Sequence, residues 1–288
     1  MTYVIRLINS NLVIFMKLKI RKSMLQFKGV LKKMLTEYNQ PIDYYLEMEN
    51  GFLHLNELLN KDFEISFEKY QCLSCEQDKP IFRQGFCQSC FFAIPQAGEW
   101  IMHPELSTAH LDIEDRDLAY EKRVQLQPHI VYLSLSSEIK VGVTRKTQVP
   151  ERWIDQGAVQ AVEIVEVPNR YLAGIAEVAL KDHFADKTNW QKMLKNDIPE
   201  VDLVAEKEQL RCLLPKEVQE YFVENGSKLF KIQFPILKYP LKISSLNLTK
   251  TPNYKGKLVG VKGQYLIFED NTVFNVRNSE GFVVTIRI

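Results

Sequence analysis

The stretch whose reading decides the fold runs from Gln127 to Leu194: QPHIVYLSLSSEIKVGVTRKTQVPERWIDQGAVQAVEIVEVPNRYLAGIAEVALKDHFADKTNWQKML. Two apolar runs, Ile130 to Leu135 and Ile139 to Val143, flank the polar pair Ser136 and Ser137, which is the pattern of a β-hairpin. Pro150 then opens a short helix over Glu151, Arg152, Trp153 and Ile154, because a proline in the first turn gives up an N–H that has no helical partner anyway. Ala161 to Val167 gives a third strand. From Tyr171 to Phe184 the apolar residues Leu172, Ile175, Ala176, Ala179 and Leu180 recur at helical spacing. The order is β-β-α-β-α.

That order, with Tyr132 on the first strand, Val141-Gly142 on the second, Arg152 on the first helix and Glu177 on the second, resembles the GIY-YIG nuclease superfamily. The first motif reads IVY and the second KVG, so Lys140 stands where the second tyrosine of that superfamily usually does; the wording is similar to its divergent branches. The chain as a whole resembles a bacterial family of uncharacterised function that joins such a core to a four-cysteine knuckle. The resemblance implies a cleft for phosphodiester cleavage. Tyr132 would be its base or water-orienting phenol, Arg152 its phosphate clamp and Glu177 its metal ligand, a single hard carboxylate suited to Mg²⁺. Lys140 either favours the phenolate of Tyr132 or contacts phosphate, and Asn189, after the second helix, is a further site member.

The cysteines come as Cys72-x2-Cys75 and Cys87-x2-Cys90. Two such turns facing each other supply the tetrahedral four-thiolate set that Zn²⁺ prefers. Against this stand a disulfide pair and a redox CxxC. A redox motif needs one CxxC near a βαβ pattern, and the solitary Cys212 with no secretion signal points to a reducing cytoplasm, where disulfides seldom persist. A closed four-thiolate site makes the zinc structural.

At 288 residues, with 45% hydrophobic and 25% charged residues, the chain has the composition of an ordinary globular protein with one large or two modest domains. A net charge of +1 gives no global attraction to nucleic acid, so any such attraction is local. From Gly226 to Lys262 there are eight lysines and no acid. Arg145 and Lys146 on the rim of the central segment, with Lys255 and Lys257, are the candidate backbone-tracking residues; the plain alternative is ordinary solvated lysines. No apolar run is long enough to span a membrane.

The expected class is α+β: the central β-β-α-β-α core, the zinc knuckle, and a small antiparallel β module formed by the N- and C-terminal strands. Along the chain this reads as a disordered extension or misassigned start (1–23), N-terminal antiparallel strands (24–71) and the knuckle (72–95). A connector (96–126), the core (127–200), a helical segment (201–226) and the C-terminal β module (227–288) follow. Asn50-Gly51 between apolar runs marks a hairpin. Helices are expected over Val201 to Leu214 and Pro215 to Glu224, the latter stopping at Asn225-Gly226. In the connector, His103, His110, Asp112, Glu114, Asp115 and Asp117 suggest a second metal site or, more simply, a solvated acidic surface. Tyr265, Phe268 and Phe274 alternate with polar residues, as a base-stacking platform would and as one face of a β core would. Two functions are open: a metal-dependent endonuclease acting on DNA or RNA, and a zinc-containing nucleic-acid or protein-interaction module whose nuclease cleft is degenerate.

Overall fold

The computed structural model describes residues 25–184, 189–224 and 228–288, and before them the backbone of 2–9 and 12–19. Of the extension expected at 1–23, the described backbone segments β1 (Thr2–Asn9) and β2 (Leu12–Lys19) pair antiparallel, and the other residues lie outside those described. The stop expected at Asn225-Gly226 also lies outside them. The chain divides into two units, 1–91 with 233–288, and 92–232. Among the described residues no helix is long and apolar enough to cross a membrane.

The first unit begins with β3 (Gln26–Val30), β4 (Leu35–Glu37), β5 (Asp43–Met48), β6 (Gly51–His54) and β7 (Asp62–Tyr70). Asn50-Gly51 turns β5 into β6 as that dipeptide should, and β4 completes a three-stranded sheet. The helix α1 (Gln88–Ala93) carries Cys90 and spans the boundary at residue 91.

The second unit carries α2 (Leu118–Gln125), β8 (His129–Leu135), β9 (Ile139–Arg145), α3 (Glu151–Asp155), β10 (Gln160–Val167) and α4 (Arg170–Lys181). Then come α5 (Trp190–Lys195), α6 (Leu203–Gln209), α7 (Lys216–Gln219) and β11 (Phe230–Lys231). The sheet order is β11-β10-β8-β9, antiparallel throughout, so β9 is an edge. Every residue of β8 is buried. That is why Ile130 to Leu133 reads as an unbroken apolar run: both faces are covered. On one face Val131, Leu133 and Leu135 pack with Ala173, Ala176 and Leu180 of α4 and with Leu203, Leu210 and Val218 of α6 and its successors. On the other, Tyr132 meets Trp153 edge-on at 5.7 Å and Trp153 meets Phe230 at 4.8 Å.

Two boundaries differ from the sequence expectation. The helix expected over Pro215 to Glu224 is only the four residues of α7, because Tyr221 to Val223 turn back onto β10: Glu166 N–H donates to Tyr221 O at 3.1 Å and Val223 N–H to Ile164 O at 2.9 Å. Phe230 and Lys231, assigned by sequence to the C-terminal module, pair instead with Ala161 and Gln160 of β10. Backbone pairing along the edge of β10 outweighs local helix propensity in the first place and pairing with the C-terminal strands in the second.

The chain then re-enters the first unit with β12 (Ser244–Ser245), β13 (Asn253–Lys262), β14 (Tyr265–Phe268), β15 (Thr272–Asn275) and β16 (Phe282–Arg287). Strands from both ends of the chain form one seven-stranded sheet, β12-β15-β14-β13-β7-β16-β3. Phe268 and Phe274 are each 1% exposed, so they are core and offer no face to a stacking base.

The acidic run of the connector is organised rather than merely solvated. Asp117 caps α2 by accepting from Tyr120 N–H, and the fully buried Glu121 carboxylate accepts from the N–H groups of Asp115, Arg116 and Asp117 at 3.0, 2.7 and 3.1 Å. Bonds to a charged acceptor are worth about 1.5–3 kcal/mol each, and their loss strands three donors. Glu121→Ala is expected to destabilise the protein by about 3 kcal/mol, read as a lower urea midpoint; an unchanged midpoint would show that the carboxylate does not hold this turn.

Candidate functional site

The sheet edge at β9 brings three of the expected residues together. Tyr132 is 1% exposed and lies opposite Gly142 across the β8–β9 pair. A Cβ at Gly142 would sit 2.7 Å from the Tyr132 hydroxyl, so only glycine lets the phenol cross the edge strand. There the hydroxyl donates to Gln156 Oε1 at 3.0 Å and is hydrogen-bonded by Arg152 from α3. Glu177 of α4 is close enough for its charge to act on the same phenol. Burial raises the Tyr132 pKa, with Arg152 pulling the other way and Glu177 adding to the rise. Desolvation dominates, so the pKa of the phenol is raised overall, and a cation hydrogen-bonded to it is Arg152. Lys140 sits further along β9, opposite Ser134.

Glu177 has a carboxyl pushed up to about 7, first by burial and then by the neighbouring Glu105, against the pull of Arg170, Arg152 and Lys181. Glu105 is there because the loop before it is pinned to α4 in two ways. Arg170, the first residue of α4, donates from Nε to Trp100 O at 3.1 Å and from Nη2 to Ile101 O at 2.8 Å, with its guanidinium over the Trp100 ring at 5.5 Å. Further along, Gly174 lets the loop backbone touch the helix: a Cβ there would lie 2.2 Å from Glu105 N. Burial lowers the Arg170 pKa to about 10, far above neutrality, so a cation stays inside the unit. The result is a cleft of about 210 Å³ whose lining includes Glu105, Glu177, His103 and Lys181.

Other expected members lie apart from this cluster or are otherwise engaged. Asn189 caps α5, its side-chain oxygen accepting from Gln191 and Lys192 N–H at 3.1 Å each. Lys146 is bound by both oxygens of Glu166 at 2.7 and 2.8 Å, and Arg145 Nε donates to Gln148 Oε1 at 3.2 Å. Lys255 and Lys257 belong to the other unit, on β13, where Lys255 pairs across from Glu64 and Lys257 approaches Glu269 at 3.9 Å. Among the suggested second-metal residues, His103 Nδ1 faces Glu105 Oε1 at 3.5 Å, and His110 stacks on Tyr171 at 4.5 Å. Sequence reasoning missed Arg170, Glu105 and Gln156. Arg170 left a signal: a cation in the first turn of a helix opposes the macrodipole and so asks for a specific partner.

In the first unit the four sulfurs of Cys72, Cys75, Cys87 and Cys90 lie within 4.8 Å of one another, and this set can hold a zinc ion. Cys75 and Cys87 sulfurs are 4.0 Å apart, Cys87 N–H points at Cys72 Sγ at 3.3 Å, and Cys72 and Cys87 are buried. The turns that present them are held by backbone bonds, among them Glu76 N–H to Cys72 O at 2.9 Å and Phe86 N–H to Arg83 O at 2.9 Å. Such a set closes around the metal with four thiolates and leaves no position for substrate. Elemental analysis of the purified protein is expected to give about one zinc per chain, and chelation is expected to lower the melting temperature of the first unit. Metal-free protein with four rapidly reacting thiols would refute the assignment.

No curated protein matches the chain. No solved structure does either. Residues 60–284 match the family described as Protein of unknown function (DUF2797), and the chain belongs to that family.

Proposed function

We propose that the second unit is a GIY-YIG-like, metal-dependent phosphodiester-cleaving unit acting on nucleic acid, and that the cysteine knuckle holds a structural zinc. The observation that carries the first part is the convergence of Tyr132, Arg152 and Glu177 from a strand and two helices. They meet in a β-β-α-β-α segment whose middle strand is β8.

The donor set fits a hard divalent cation. Glu177 and Glu105 offer carboxylate oxygens in one open cleft, and their mutual repulsion, which helps hold Glu177 at about 7, would be relieved by a bound cation. Such a cation would supply positive charge for the phosphate oxygens and the departing alkoxide. The chain's own groups do the positioning. Arg152, exposed on α3, meets the non-bridging phosphate oxygens with a planar fork that no lysine reproduces. Tyr132, whose burial keeps it a phenol at neutral pH, orients the attacking water through its hydroxyl rather than removing its proton. The water oxygen bonds to phosphorus as the phosphorus–oxygen bond to the leaving group breaks; the water gives up one proton to solvent and the leaving oxygen takes one up from solvent, so the products are a phosphomonoester and an alcohol.

The full chain with Mg²⁺ or Mn²⁺ is expected to cut DNA or RNA oligonucleotides. Glu177→Gln is expected to lower the rate at least about 100-fold, the scale of losing a group that stabilises the transition state, while leaving binding within about threefold. Wild-type protein that binds but never cuts with either metal would leave a non-catalytic nucleic-acid module. Protein that binds no nucleic acid at low salt would end both readings.

A further inference from the structure

The cleft beside Glu177 has more wall than a phosphate needs. Its lining adds Met102, Val178 and Phe184 to His103, Glu105 and Lys181, so apolar side chains face a space of about 210 Å³ that also carries two carboxylates, an imidazole and an ammonium group. We infer that this cleft receives one unpaired nucleobase, so that the substrate of the proposed cleavage is single-stranded, bulged or frayed nucleic acid rather than intact duplex. The inference rests on the proposed function and names the substrate class of that same site.

Size, chemistry and rigidity argue together. The space is below the roughly 300–1,000 Å³ of pockets that enclose drug-sized ligands, and it suits a single planar ring system. Met102, Val178 and Phe184 provide apolar and aromatic surface for a base face, the contact that binds unpaired bases without regard to sequence. His103 and Lys181, which line the same cleft, can donate to the ring nitrogens and carbonyl oxygens of a base edge. The backbone phosphate stays with Arg152 and the cation that Glu177 and Glu105 would hold, while an uncharged base enters. Bases of an intact duplex are paired and stacked inward, and an enzyme reaches one only if it is already unpaired or is extruded at a cost of a few kcal/mol. The loop from Trp100 to Glu105 is fixed by Arg170 and by the close approach at Gly174, so the wall it provides is formed before ligand arrives and little ordering opposes binding.

The test uses the full chain carrying Glu177→Gln, with Ca²⁺, and fluorescein-labelled oligonucleotides of one sequence in three forms: single strand, blunt duplex, and duplex with a one-nucleotide bulge. Fluorescence anisotropy is expected to show the single strand and the bulged duplex binding at least about tenfold tighter than the blunt duplex, the scale of one stacked base. Phe184→Ala is expected to reduce that preference to about twofold or less. Because Phe184 also packs on the core of the unit, Met102→Ala at a side chain 72% exposed repeats the test without disturbing the fold. Equal or tighter binding of the blunt duplex, a preference that survives both substitutions, or no binding to any of the three forms would overturn the inference. Cleavage by wild-type protein is scored separately: a duplex-preferring nuclease defeats the base cleft alone, and a single-strand binder that never cuts defeats the catalytic reading alone.

Discussion

Two hydrogen bonds from one buried guanidinium, Arg170 to the carbonyls of Trp100 and Ile101, hold the second unit's site in its present form. Burying a cation costs several kcal/mol before compensation, and the first turn of α4 is electrostatically the wrong end for it. The two carbonyls, the Trp100 face and the charge of Glu177 offset that cost. In return the connector lies along α4, Glu105 reaches Glu177, and the acidity of Glu177 moves into the range where a carboxyl responds to a neighbouring cation. A lysine at position 170 would keep the charge but lose the fork that grips two successive carbonyls.

The second constraint is the edge strand. A tyrosine in the middle of a strand buried on both faces normally ends in the core. Here the absent side chain of Gly142 lets the Tyr132 hydroxyl pass over β9 to meet Arg152 and Gln156. Its burial raises its pKa, in keeping with the orienting role proposed for it. The proposed function rests on two local departures from ordinary packing: a glycine in an edge strand and a cation at a helix start. The first unit depends on different physics, a sheet built from both chain ends and a four-sulfur cluster whose metal would contribute roughly 10 kcal/mol of folding energy at neutral pH.

The regular parts of the fold were legible because their signals are local. The hairpin around Ser136-Ser137, the spacing from Leu172 to Leu180, the Asn50-Gly51 turn and the paired CxxC each carry their cause within a few residues. What escaped is non-local. Arg170 finds its partners 69 and 70 residues earlier in the chain. The helix at Pro215 stops early because Tyr221 and Val223 find β10, and Phe230 leaves the C-terminal strands for the same edge. Asn189 looked like a site residue and is a helix cap, a use that the following Trp190 to Lys195 pattern already suggested. Glu105 had no signal at all, since nothing in MHPEL distinguishes a carboxylate facing a cleft from one facing water.

If Glu177 belongs to a divalent-cation site in the second unit, as proposed, anomalous diffraction from crystals soaked in Mn²⁺ shows a peak bonded to the Glu177 carboxylate, in the cleft it shares with Glu105, and the peak is lost in Glu177→Gln crystals. Full Mn²⁺ occupancy at other carboxylates with none at Glu177 would contradict it.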